Sequence, residues 1–88
     1  MIKGDFSISN KLGLHARPSA QLTQVASRFA SDINIAKGPR RVNAKSIMGV
    51  MMLAAGQGTT VTVEAEGEDA EQAVQAIGTL IADGFGEH

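Results

Sequence analysis

Thr59-Thr60-Val61-Thr62-Val63-Glu64-Ala65-Glu66-Gly67-Glu68-Asp69-Ala70 changes its hydrophobic period part-way, and that change decides the fold. Through residues 59–66 apolar and polar side chains alternate, with Val61, Val63 and Ala65 on one side, which is the pattern of a half-buried strand. Beyond Gly67 the spacing becomes helical. Ala70, Ala73, Val74, Ile77, Leu80 and Ile81 form one stripe, closed by Gly84. Asp69, with Gln72 three residues later, has the form of a capping box. A strand with one wet face leading into a helix with one apolar stripe calls for helices layered on one side of an antiparallel sheet.

The rest of the chain fits that plan. Residues 2–9 alternate Ile2, Gly4, Phe6 and Ile8 against Lys3, Asp5, Ser7 and Ser9, a first strand. Residues 10–14 read as a loop. From Ala16 a helical stripe runs through Ala16, Ala20, Leu22, Val25, Ala26 and Phe29, with Pro18 suited to its first turn. Ile33 and Ile35 place a strand over Asp32 to Lys37, and Gly38-Pro39 turns into a short strand around Arg41-Val42. Ser46 and Gly56 bracket a helix of two to three turns as N-cap and C′ residues. Residues 47, 50, 53 and 54 of that helix are predicted to face the sheet. The order is β-α-β-β-α-β-α: an α/β (α+β) open-faced sandwich, a four-stranded antiparallel sheet with three helices on one face, in one domain over 1–88.

Composition narrows the function. Eighty-eight residues make one small domain, which buries only ~60% of the surface its unfolded chain exposes. The chain has no cysteine and only two histidines, His15 and His88, so neither a disulfide framework nor a metal centre is expected, and no cofactor. Three aromatics, all Phe, offer no platform for stacking bases, and nucleic acid is not an expected partner. No apolar run approaches the ~20 residues of a membrane span, and the first residues lack a signal-peptide pattern. A cytoplasmic protein is expected, and nothing requires more than a monomer.

Charge is unevenly spread. Residues 1–45 hold all eight Lys and Arg against two acids, a formal +6, whereas residues 46–88 hold seven acids, a formal −7. Either interleaved strands mix the two halves in space, or a basic face meets an acidic partner.

Two segments carry candidate chemistry. In Leu14-His15-Ala16-Arg17-Pro18 the histidine stands where a helix begins. The backbone amides of Ala16 and Arg17 lack intrahelical acceptors, and the helix dipole adds partial positive charge, which together make an anion site. Arg17 adds a guanidinium suited to phosphate oxygens, and a neutral imidazole is a nucleophile near neutral pH. The same residues also fit a histidine that only caps the helix or sits in solvent. The second segment is Lys45-Ser46-Ile47-Met48-Gly49-Val50-Met51-Met52-Leu53. A helix apolar all round cannot be enclosed by so small a domain, so Met48, Gly49, Met51 and Met52 form an exposed docking patch, or the methionines fill an irregular core. Ser46 caps this helix, and a phosphate on it would sit at a helix N-terminus beside the apolar patch.

Gly13-Leu14-His15-Ala16-Arg17-Pro18-Ser19-Ala20 resembles the active-centre motif of the histidine-containing phosphocarrier (HPr) proteins of the bacterial phosphotransferase system. Lys45-Ser46-Ile47-Met48-Gly49-Val50-Met51 is similar to their regulatory serine segment, and Val61-Thr62-Val63 with Gly67-Glu68-Asp69-Ala70 to their last strand and final helix start. The resemblance spans essentially the whole chain. It implies that His15 accepts a phosphoryl group on Nδ1 from enzyme I, charged by phosphoenolpyruvate, and passes it to a IIA protein or domain, with Arg17 contacting the phosphate. Such a protein carries a phosphoryl group rather than acting as a stand-alone turnover enzyme. The resemblance also implies phosphorylation of Ser46 by an ATP-dependent HPr kinase/phosphorylase, and docking of partners on the second helix. Asn10-Lys11-Leu12-Gly13 resembles instead the nitrogen-related branch (NPr), whose enzyme I and IIA paralogues form a regulatory chain. A phosphoryl carrier is therefore the first expectation. A regulatory docking module switched at Ser46 is the alternative.

Overall fold

The computed structural model describes residues 1–87. His88, one of the two histidines weighed above, lies outside the described residues. The elements follow the expected order: β1 (Ile2–Ser7), α1 (Ala16–Ala26), β2 (Asp32–Lys37), β3 (Arg40–Asn43), α2 (Ile47–Met52), β4 (Thr60–Glu66) and α3 (Ala70–Ala82), then a 3₁₀ turn at Gly84–Gly86. The strands form one sheet in the order β1-β4-β2-β3, every neighbouring pair antiparallel. Among the described residues, no helix is long and apolar enough to cross a membrane.

Alternation in the strands becomes a two-faced sheet through the register. Gly4 pairs with Val63, which pairs in turn with Ile35, and Phe6 pairs with Val61. Val61, Val63, Ile33 and Ile35 are buried under the helices with Leu22, Val50, Leu53, Ile77 and Ile81. The other face is wet and ionic. Lys3 and Arg41 both reach Glu64, at 3.7 and 2.6 Å, and the Thr62 hydroxyl donates to Asp5 at 2.6 Å. Thus cations of the basic half meet an acid of the acidic half across the sheet, as interleaved strands require.

Other cations close helix ends. The last carbonyls of a helix lack intrahelical donors and carry partial negative charge. Arg40 donates to the carbonyl of Met52 at 2.8 Å, and Lys37 to that of Ala54 at 3.2 Å, at the end of α2. Lys45 donates to the carbonyl of Phe29 at 2.8 Å, just beyond α1.

Four expectations are corrected. Helix α2 stops at Met52, because Ala54 takes a left-handed φ of 52° and turns the chain before Gly56 is reached. Of the residues predicted to face the sheet, Val50 and Leu53 are buried, but Ile47 and Ala54 are exposed, and Ala55 is buried where Ala54 was expected. Ala16 is exposed, since the buried side of α1 runs through Pro18, Ser19, Leu22 and Ala26. Asp69 makes no side-chain cap on α3. Its carboxylate accepts from the amides of Ala30 and Ser31 and from the Ser31 hydroxyl, tying the start of α3 to the segment before β2.

Candidate active site

The loop before α1 is held against the loop after α2. Gly13 has a φ of +65°, and a Cβ there would lie 2.3 Å from the carbonyl oxygen of Ala55, so only glycine allows this approach. The approach lets the Leu14 amide donate to Ala55 at 2.9 Å. Leu14 is buried, and the Ser19 hydroxyl donates to its carbonyl at 3.1 Å, so the residue before the histidine is fixed on both sides.

His15 is the N-cap of α1, with extended backbone and no side-chain capping bond. Its carbonyl accepts from the Ser19 amide, which starts the helical ladder. The amides of Ala16 and Arg17 have no backbone or side-chain acceptor among the described residues, and Pro18 has no amide hydrogen. The imidazole is 35% exposed. Arg17 is exposed, and its guanidinium makes no ion pair among the described residues. A solvent-accessible imidazole, two free amides at a helix start and an uncommitted guanidinium thus lie within one short segment.

Sequence reasoning missed the partner of the imidazole. Nε2 of His15 lies 3.1 Å from Oε2 and 3.4 Å from Oε1 of Glu87. Asn10, itself buried, donates from Nδ2 to the Gly13 carbonyl at 2.8 Å and to Oε1 of Glu87 at 3.1 Å. The Asn10 amide, followed by the imidazole and then the charge of Arg17, holds the Glu87 carboxyl below the usual glutamate range, although partial burial opposes the shift. The one signal in the sequence was Gly84-Phe85-Gly86-Glu87, an aromatic anchor between glycines ahead of an acid.

The second segment lies next door, since α1 packs on α2. The Ser46 Oγ accepts from the Gly49 amide at 3.1 Å and caps α2. Met48 and Met52 are 69% and 63% exposed, and Met51 is also exposed, so the methionines do not fill the core. Gly49 is half-buried. Ile47, on the same helix, is exposed as well, adding an apolar side chain that the sequence reading left out of the patch.

Residues 2–83 match the family model described as the PTS HPr component phosphorylation site. The chain belongs to the HPr phosphocarrier family of the phosphotransferase system. The phosphocarrier protein HPr of Cupriavidus necator is 56% identical over 87 residues, covering 99% of this chain and 98% of that protein. The HPr of Neisseria meningitidis is 51% identical over the same shares of both chains. Among solved structures, HPr-C-His from Thermoanaerobacter tengcongensis superposes with a TM-score of 0.96 at 49% identity, covering 100% of this chain and 99% of that one. In an HPr-family chain, His15, Arg17 and the free amides are the groups that the fold brings together at one exposed corner, with the Ser46 helix alongside.

Proposed function

We propose that this chain carries a phosphoryl group on Nδ1 of His15, taking it from phosphorylated enzyme I or its nitrogen-branch paralogue and handing it to a IIA protein or domain. One observation carries the reading: the partly exposed imidazole stands at a helix start whose first two amides have no acceptor among the described residues. In the acceptance step the Nδ1 lone pair forms the N–P bond as the donor's bond to phosphorus breaks, its electron pair returning to the donor. Phosphoryl transfer calls mainly for positioning and charge stabilisation. The amides of Ala16 and Arg17 and the Arg17 guanidinium meet the phosphoryl oxygens without reorganising, because none has to leave another acceptor first. Such a carrier works in the cytoplasm as a monomer and needs no metal or cofactor of its own.

Met48, Gly49, Met51 and Met52 form the docking surface in this reading, beside the histidine, so that a partner covering α2 also covers the acceptor. Adaptable methionines suit successive partners of different shape. Ser46 is the regulatory phosphorylation site, open to an HPr kinase/phosphorylase. A phosphate there adds a dianion at the edge of the apolar surface and weakens docking through its desolvation cost. The test is phosphorylation by phosphoenolpyruvate and enzyme I. The wild-type chain acquires one acid-labile phosphate, and His15→Ala acquires none while melting as a folded domain. Acid-labile label on the His15→Ala variant overturns the assignment.

A further inference from the structure

The chain's last described residue reaches its tenth and fifteenth through a costly backbone. Phe85 is buried and adopts a left-handed φ of 57°, a conformation that bulky side chains rarely hold unless the surroundings impose it. The turn is closed by the Glu87 amide donating to the Gly84 carbonyl at 3.0 Å. With Phe85 anchored in the core, Glu87 is directed back onto His15. Asn10 also bears a cost for this arrangement. Both acceptors it serves, Gly13 and Glu87, require its Nδ2, which leaves its buried Oδ1 without a hydrogen-bond partner among the described residues. A strained aromatic in the C-terminal turn and an unsatisfied buried oxygen in the loop before α1 both serve to place a single carboxylate.

That carboxylate is ionised near neutral pH and can only accept, so the imidazole nitrogen facing it must carry the hydrogen. We propose that Glu87 is a positioning residue: held by Asn10, it fixes His15 as the Nε2–H tautomer and leaves the Nδ1 lone pair free for phosphorus. The tautomer claim stands on the hydrogen bonds alone, and its consequence for rate rests on the carrier reading above.

The experiment compares wild type with Glu87→Ala by the ¹⁵N signals of the His15 ring in mildly alkaline solution, where imidazoles are neutral, and by the kinetics of phosphoryl acceptance from enzyme I. In the wild type Nε2 gives the protonated signal and Nδ1 the unprotonated one. In Glu87→Ala both move toward each other as the tautomers mix. The acceptance kcat falls about three- to tenfold, and KM for enzyme I stays unchanged because Glu87 is not among Met48, Gly49, Met51 and Met52, the residues assigned to docking. Protonation at Nδ1 in the wild type, ring signals unmoved by the substitution, or moved signals with an unchanged kcat would each overturn the proposal. If the wild type takes up no phosphate, the carrier reading fails, and the ring signals still decide the part played by Glu87.

Discussion

Helices α1 and α2 lie side by side and begin in opposite ways. At α2 the Ser46 hydroxyl accepts from the Gly49 amide and satisfies one of the orphan donors of the first turn. At α1 the cap residue is His15, whose side chain turns to Glu87 instead, and the amides of Ala16 and Arg17 meet no acceptor among the described residues. A closed helix start contributes to stability. An open one forgoes that contribution and keeps a receptor for an anion. On the carrier reading proposed above, this small domain puts function ahead of stability at α1, and Pro18, lacking an amide, limits the loss by leaving one donor fewer to satisfy.

The comparison can be broken most directly through Arg17. If the open start reads phosphate, Arg17→Ala slows phosphoryl acceptance by about 10- to 100-fold without lowering the melting temperature, because the side chain is exposed and makes no ion pair among the described residues. An unchanged acceptance rate would show that the amides suffice and that the guanidinium is incidental.

Exchanging the caps sharpens the contrast. Ser46→Ala costs about 1 kcal/mol in denaturant unfolding, since it opens α2. His15→Ser closes α1 and stabilises the domain by a similar amount, about 1 kcal/mol, while abolishing phosphoryl acceptance. Changes of the same sign in the two variants would mean that the helix starts do not differ in the way described.

The smallest effect concerns α3, whose cap residue is used differently again. The Ser31 hydroxyl first, and the Ala30 amide after it, hold the Asp69 carboxyl below the usual aspartate range. A carboxyl depressed in the folded state adds stability above its unfolded pKa of about 3.9, and that stability is lost as pH falls through the lower folded value. Asp69→Asn is therefore less stable than wild type at neutral pH, and the gap narrows in strong acid. Denaturant midpoints at about pH 7 and pH 2 check this. A gap that stays constant would assign the role of Asp69 to hydrogen bonding without charge.

The strands were readable because a period of two needs only the residues themselves, and β2 spans Asp32–Lys37 as the Ile33-Ile35 spacing predicted. Short helices were harder. Six residues of α2 are too few for a stripe to establish itself, and the helix ends at Met52 ahead of a left-handed turn at Ala54, where no glycine or proline announced one. Gln72 matched a capping box, yet the Asp69 side chain found better donors in Ala30 and Ser31, which stand far away in the sequence and near in the fold. The basic and acidic halves were visible as a count. That Arg41 and Lys3 share Glu64, while Lys37, Arg40 and Lys45 serve helix ends, followed only from the packing.

Element order, the two-faced sheet, the histidine at a helix start and the serine at the next were settled by the sequence itself. Each depends on side-chain periodicity or on groups within a few residues, which neighbouring atoms impose on one another wherever the chain goes. The company His15 keeps was decided by the tertiary structure. Gly13 against Ala55, and Phe85 turning Glu87 onto the imidazole, join residues far apart along the chain, and such contacts exist only once the sheet register and helix packing have set the distances.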